Sequence, residues 1–300
     1  MTAAPPAGAD RLEAFSQVRS LLFTVAYEML GSVADSEDVL QESWLRWDAA
    51  DRSDVRDPRA YLVRLVTRQA LNRLRTVRRQ RETYVGSWLP EPLATTPDLA
   101  DDVELAESVS VAMLVVLETL TPLERAVFVL HDVFGFDYDE VAAATDRSAA
   151  ACRQLASRAR RHVEARRPRV SASADVQQVT ERFLEAASSG DLGALLDLLA
   201  PDVVLVADGG GVRRAALRPI AGADKVARFL VATSARVEGS VTGLRWASAN
   251  GAPSVLMDLD GELDSLVTLD VHDGLVHRVY YVRNPEKLSY VVRPVSLTRE

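Results

Sequence analysis

The sequence predicts a multidomain chain in which two all-α units precede one α+β unit, and three observations carry this. Apolar residues recur every three or four positions through most of residues 11–163. A polar, arginine-rich break, "RRPRVSASADVQ", follows. Beyond it, extended segments alternate with Asn-Gly and Asp-Gly pairs, the turn chemistry of β-hairpins. A chain of 300 residues, 48% hydrophobic and 26% charged, suits two or three globular cores better than one.

The elements follow in order. From Arg11 to Leu30 the positions Leu12, Phe15, Val18, Leu22, Val25, Ala26 and Met29 mark an amphipathic helix, which Gly31 stops. Ser32 or Asp35 can cap a second helix, in which Val39, Leu40, Trp44, Leu45 and Trp47 alternate with Asp35, Glu37, Asp38 and Glu42. Asp57 and Pro58 form a cap and first-turn pair for a third helix, with Leu62, Val66, Ala70, Leu74 and Val77 on one side and Arg64, Arg68, Asn72, Arg75 and Arg79 as a separate stripe. One helix is expected over 105–120. Thr121-Pro122 starts the next, which Gly135 breaks, and a short helix at Tyr138 to Ala144, a tight turn and a Ser148-capped helix complete the length pattern of a helix-turn-helix. After the break, Asp175 to Ser189 and Asp191 to Leu199 read as helices split by Gly190, and "DVVLVADGGG" as a strand ending in a glycine turn. Gly222 to Ala235 reads as a helix, and Asn250-Gly251, Asp260-Gly261 and Asp273-Gly274 join the strands of an expected antiparallel sheet.

Composition narrows the function classes. No run of about 18 uncharged apolar residues exists, and the start has neither a basic nor an apolar leader pattern, so no membrane span is expected and the cytoplasm is the expected compartment. The single cysteine, Cys152, has no companions at metal-ligand spacing, so neither a structural metal nor a cofactor is expected. The formal charge of −8 argues against nucleic acid only as an average. Ten arginines fall between Arg52 and Arg81 and seven between Arg153 and Arg169, while acids gather at Asp35 to Glu42 and Asp98 to Glu107.

The basic islands carry the chemistry. On the Ser148-capped helix, Cys152, Leu155, Ala156, Ala159 and Val163 share an inward face, and Arg153, Gln154, Ser157, Arg158 and Arg161 project outward. Arginine and glutamine make bidentate contacts to base edges in a major groove, while Arg160, Arg166 and Arg167 suit phosphates. The earlier island interleaves arginines with aromatic and polar side chains, as single-strand binding requires. A solvated arginine-rich helix is the bland alternative for both.

"LFTVAYEMLGSVADSEDVLQESWLRW", "VRDPRAYLVRLVTRQALNRLR" and "LTPLERAVFVLHDVFGFDYDEVAAATDRSAAACRQLASRARR" together resemble a bacterial sigma factor of the extracytoplasmic-function (ECF) type over about the first 170 residues. The rest resembles a SnoaL-like domain of the nuclear-transport-factor-2 superfold. A subgroup of such factors carries a WLPEP segment between its two helical regions, a DGGGK-like turn and an NPDKL-like segment. Here stand Trp88-Leu89-Pro90-Glu91-Pro92, Asp208-Gly209-Gly210-Gly211 and Asn284-Pro285-Glu286-Lys287-Leu288, with Val212 in place of the lysine and Glu286 in place of the aspartate.

The resemblance implies two all-α DNA-binding domains, sigma region 2 and a helix-turn-helix region 4, plus an α+β SnoaL-like cone. The expected boundaries are 10–84 for region 2, 85–104 for a linker, 105–168 for region 4, 169–174 for a second linker and 175–292 for the cone. It implies that Asp35, Glu37, Asp38, Glu42 and Trp44 dock on the β′ coiled coil of RNA polymerase core. Tyr61, Asn72, Arg75, Arg78, Arg79 and Gln80 would read the −10 element of promoter DNA, and Arg153, Gln154, Ser157 and Arg158 the −35 element. Trp88, Leu89 and Pro90 of the linker, with Asp208, Gly209, Gly210, Gly211, Asn284, Pro285, Lys287 and Leu288, are the candidate regulatory interdomain contacts. A small ligand or a protein partner at the cone would regulate initiation in cis. Two alternatives stay open on the residues: a helix-turn-helix regulator with a sensor domain, and an enzyme fused to a DNA-binding module. For the enzyme, Asp208, Trp246, Asp258, His272, His277 and Tyr280 offer polar groups but no nucleophile and base at a telling spacing, and Trp246 and Tyr280 are expected in the core.

Overall fold

The computed structural model describes residues 7–49, 55–95, 103–166, 173–235, 241–291, 295 and 297–299. Residues 96–102 of the first linker, including Asp98, Asp101 and Asp102, and residues 169–172 of the second lie outside them, as do Arg52, Arg167 and Arg169.

Three helices open the chain: α1 (Ala7–Leu30), α2 (Val33–Ala49) and α3 (Pro58–Glu82). α4 (Val103–Ser108) and α5 (Val111–Leu117) replace the single helix expected over 105–120. The break has a local cause. Ser110 sits at φ −57°, ψ 147°, outside the helical region, and its hydroxyl accepts from Met113 N–H, so a new helix starts there. α6 (Pro122–Phe128) begins at a reciprocal Thr121–Glu124 capping box. It then widens into a π-helical turn (Val129–Val133), closed by Phe134 N–H to the Val129 carbonyl, instead of continuing as α-helix to Gly135. α7 (Tyr138–Thr145) ends at Asp146 in the left-handed region, and α8 (Ala149–Glu164) starts at Ser148. The buried residues of α1–α3 and α5–α8 form one continuous core rather than two, from Phe15 and Leu22 through Leu62 and Leu74 to Leu114, Val127 and Ala159. Val295 and Leu297 pack on it as well.

The C-terminal part contains α9 (Ser173–Ser189), α10 (Leu192–Leu198), β1 (Leu199–Asp208), β2 (Ile220–Ala221), α11 (Ala223–Ser234), β3 (Val241–Ala249), β4 (Ala252–Leu259), β5 (Glu262–His272), β6 (Leu275–Val282) and α12 (Pro285–Leu288). The sheet order is β2-β1-β6-β5-β4-β3. It is not wholly antiparallel as expected: β1 pairs parallel to β6, with Asp208 opposite Val282. Leu199, read as the end of a helix, already belongs to this strand. One sheet face, through Leu205, Val267, Leu269 and Val279, packs with the helical residues Val179, Phe183, Leu195 and Val226. The opposite face, through Leu256, Leu266, Tyr280 and Val282, covers Leu89 of the linker and Val111 of α5. Among the described residues no helix is long and apolar enough to cross a membrane.

Candidate DNA-binding and interdomain sites

The acidic face of α2 divides in two. Asp38 and Glu42 are exposed, Asp38 with Arg73 Nη2 3.5 Å away, whereas Asp35 accepts from Arg73 Nε at 2.7 Å and Glu37 from Arg19 Nη2 at 2.6 Å. Trp44 is half-buried with its ring edge-on to Phe15 at 5.3 Å. On α3, started by Asp57 accepting from Ala60 N–H, the buried side of Leu62, Val66, Ala70, Leu74 and Val77 leaves Asn72, Arg75, Arg78, Arg79 and Gln80 exposed. Tyr61 is half-buried, its ring 5.5 Å from that of Trp47.

α8 shows the polarity expected of it, with Cys152, Leu155, Ala156, Ala159 and Val163 buried and Arg153, Gln154, Ser157 and Arg158 exposed. Its cations are not equivalent. The Arg153 guanidinium lies over the Tyr138 ring at 5.4 Å, Arg158 stands 3.3 Å from Glu124, and Arg160 is tied to Asp132 and to the Tyr138 hydroxyl. Arg160 therefore braces α8 on the preceding helices before it can serve a phosphate.

The linker is gripped by the C-terminal part. Asp208, at the end of β1 and fully buried, accepts from the Tyr84 hydroxyl at 2.6 Å, from Leu89 N–H at 2.8 Å, from Gly210 N–H at 3.0 Å and from Lys287 Nζ at 2.7 Å. Lys287 also donates to the Leu89 carbonyl, so both polar groups around that one residue are held by a single ion pair. Burial pushes the Lys287 ammonium down to about 8, against the opposing pull of Asp208. Asn284 caps α12 and donates to the Tyr84 hydroxyl at 3.0 Å. A Cβ on Gly209 would overlap the Arg213 carbonyl, and one on Gly210 would strike the Asn284 carboxamide, which explains two of the three glycines. Trp88 lies between two cations, Arg81 of α3 at 3.4 Å and Lys287 at 4.2 Å from its ring centre. Leu89, Pro90 and Leu288 are buried and Pro285 is exposed.

Further along, the Glu91 carboxylate accepts from Val33 N–H at 2.6 Å, Ala34 N–H at 3.2 Å and the Ser32 hydroxyl at 2.9 Å, capping α2 from 57 residues away or more. Burial raises its pKa while these donors oppose the rise. The turn between β3 and β4 supplies a second hub. Asn250 accepts from Leu93 N–H at 3.0 Å and donates to the Tyr27 hydroxyl at 2.7 Å and the Val109 carbonyl at 2.9 Å. It thereby joins linker, α1 and the α4–α5 junction.

A third set of contacts joins α1 and α3 to α5 and α6. Glu118 pairs with both Arg81 and Arg125, and although burial opposes it, these guanidiniums hold its carboxyl below the usual range. Arg81 and Arg125 also donate to the backbone of α1, at Leu30 and Glu28. Glu28 is fully buried and accepts from the Ser108 hydroxyl at 2.7 Å; burial pushes its carboxyl up to about 8.

The polar groups offered for catalysis do not converge. Asp208 is consumed by the linker, Asp258 pairs with Arg245, and Tyr280 is buried in the outer sheet core. His272 and His277 stack on each other with ring centres 3.3 Å apart. Trp246, expected in the core, is 44% exposed: it stands opposite buried Val255, but β3 is the edge strand and has no further strand beside it.

Residues 14–80 match the family description Sigma-70 region 2, and residues 110–163 match Sigma-70, region 4. Across 288 residues, covering 92% of each chain, the sequence is 40% identical to the ECF RNA polymerase sigma factor SigJ of Mycobacterium tuberculosis (strain ATCC 25618 / H37Rv). The chain belongs to the ECF sigma factor family. Another relative, the probable ECF RNA polymerase sigma factor SigI of the same organism, is 32% identical over 277 residues, covering 90% of this chain and 92% of its own. The crystal structure of SigJ superposes with a TM-score of 0.74 at 36% identity, over 93% of this chain and 98% of that one. The match thus runs through the C-terminal part, and this ECF factor is one with a fused SnoaL-like domain. Sigma factors are not enzymes: with RNA polymerase core and promoter DNA they direct where transcription starts.

In this ECF factor several residues of the interdomain contacts carry no sequence signal that singles them out, Glu118 and Arg125 among them. Tyr84 falls at the expected end of region 2 with nothing to mark it, Glu91 is visible only as part of the WLPEP segment, and Asn250 only as a turn former. Arg81 was one arginine among ten between Arg52 and Arg81. For Glu91 and Asn250 the signal available was a polar group beside buried apolar residues, which does not name its partner.

Proposed function

We propose that this ECF factor docks on the β′ coiled coil of polymerase core through α2, with Asp38 and Glu42 as its accessible carboxylates. On this reading α3 reads the −10 element through Tyr61, Asn72, Arg75, Arg78, Arg79 and Gln80, and α8 reads the −35 element through Arg153, Gln154, Ser157 and Arg158. The SnoaL-like domain regulates initiation in cis by fixing how the two helical regions sit together. It acts in the cytoplasm, where core polymerase and promoters are. The observation that carries the regulatory reading is the Asp208–Lys287 pair closed on Leu89, with Trp88 between Lys287 and Arg81 of α3. A small ligand or protein partner releases or tightens this contact only by binding one arrangement better than the other.

The test is run-off transcription with core polymerase on genomic fragments from the source organism, comparing the full chain, a truncation near Arg169 and Asp38→Lys/Glu42→Lys. Promoter-specific transcripts whose yield changes on truncation, and loss of core binding in the lysine variant, are the expected results. Absence of initiation from every fragment by both full and truncated chains overturns the reading.

A further inference from the structure

The loop between β1 and β2 carries a charge pattern that neither the clamp nor the fold uses. Residues 209–219, "GGGVRRAALRP", hold Arg213, Arg214 and Arg218 and no acid, in a chain of formal charge −8. All three arginines are exposed, and none has an ion-pair partner among the described residues. Where the loop is anchored, the backbone does the work: Arg213 N–H donates to the Gly209 carbonyl, and the Arg214 carbonyl accepts from Arg283. The guanidiniums are left over. The loop is also fixed in place. Gly211 lies against the Val85 side chain and Leu217 against Gly86, three and four residues beyond the last residue of α3. At no more than about 3.5 Å per residue, this puts the loop within roughly 10 to 15 Å of the helix end that exposes Arg78 and Arg79. Those two have no ion-pair or hydrogen-bond partner either among the described residues.

The geometry points to a third DNA contact: Arg213, Arg214 and Arg218 of the SnoaL-like domain extend the cationic surface of α3 and bind phosphates of the duplex next to the segment α3 engages. Isolated arginines with no base-reading scaffold around them supply charge and position without sequence information. The two cationic groups are neighbours across the domain boundary, because the clamp seats the loop beside the end of α3. The inference rests on the reading of α3 as a DNA-binding helix, and its test separates the two.

Binding of the full chain to a fluorescein-labelled mixed-sequence duplex of about 30 base pairs is followed by anisotropy over a range of salt concentrations, since each phosphate contact steepens the log–log slope by about 0.9. Arg213→Gln/Arg214→Gln/Arg218→Gln is expected to bind more weakly and to flatten the slope by about two to three, and the matching triple lysine variant to restore it. Arg78→Gln/Arg79→Gln serves as the separate probe of α3. A flatter slope for the loop variant supports the contact, even if the α3 variant is unchanged and the α3 reading fails. An unchanged loop variant beside a flatter α3 variant overturns the contact and leaves α3 standing; no change in either overturns both. If the loop variant keeps its DNA slope but loses affinity for polymerase core, the patch serves an acidic protein surface and the DNA contact is overturned.

Discussion

Asp208 and Lys287 show how much one buried charge pair is asked to do. Lys287 keeps its charge only in company, and removing one partner of such a pair costs about 3 kcal/mol or more because the other is left unpaired. Asp208→Asn is therefore expected to lower the urea unfolding free energy of the full chain by at least about 3 kcal/mol, against about 1 to 2 kcal/mol for Tyr84→Phe, which removes the hydroxyl's bond to the same carboxylate and the one it accepts from Asn284. Equal midpoints for the two variants would show that the ion pair is not what holds the linker. Glu28 gives a pH signature of the opposite kind. Its carboxyl sits at about 8 in the folded chain against 4.5 when free, so the folded state binds the extra proton between those values. Stability from this group is full below pH 4.5 and is lost as pH rises toward 8, by up to about 1.4 kcal/mol per unit. Glu28→Gln removes the dependence: the wild-type stability, measured relative to this variant, is expected to fall between pH 5.5 and 8, and parallel pH profiles would refute the assignment.

At the scale of elements, α2 owes its start to a residue far along the chain. Glu91 satisfies the first N–H groups of the helix that carries Asp38 and Glu42. Glu91→Ala is expected to cost about 1 to 2 kcal/mol and to weaken core-polymerase binding, while Glu91→Gln, which keeps an acceptor, retains most of both; pull-down with core polymerase measures it. Such a cap cannot be read from sequence, since Ser32 and Asp35 offer plausible local ones and nothing in the spacing announces Glu91. What was legible is periodic or locally capped: the inward face of α8, the stripe on α3, the Thr121 and Ser148 starts. What was not legible depends on pairing at a distance. Strand periodicity is the same for parallel and antiparallel neighbours, so β1 and β6 gave no hint of running parallel. That pairing puts the ends of both strands at one edge of the sheet, which is why the glycine turn and the Asn284–Leu288 segment meet. An antiparallel pair would have carried them to opposite ends. Likewise Trp246 lies outside the core because β3 is an edge strand, a fact of strand order rather than of residue type.

For the whole molecule, the described part of the linker meets α1 and α2 through Glu91, α3 through Trp88, the sheet through Leu89 and Leu93, and the α5 side of the core through Leu89. The resemblance to a sigma factor subgroup names the segments that meet, but not the Arg81–Glu118–Arg125 contact between the helical regions or the Asn250 contact between them and the sheet. One property of the clamp bears on how it lets go. Asp208 and Lys287 both belong to the SnoaL-like domain and bind each other, so the receptor for Leu89 is complete without the linker. Departure of the linker leaves an occupied ion pair behind, not two stranded charges, and the vacated seat stays shaped for the same backbone. A free peptide spanning Tyr84 to Pro92 should then compete in trans: added in excess, it is expected to raise the protease sensitivity of the linker in the full chain, and a peptide with alanine at Trp88 and Leu89 is expected to have no effect.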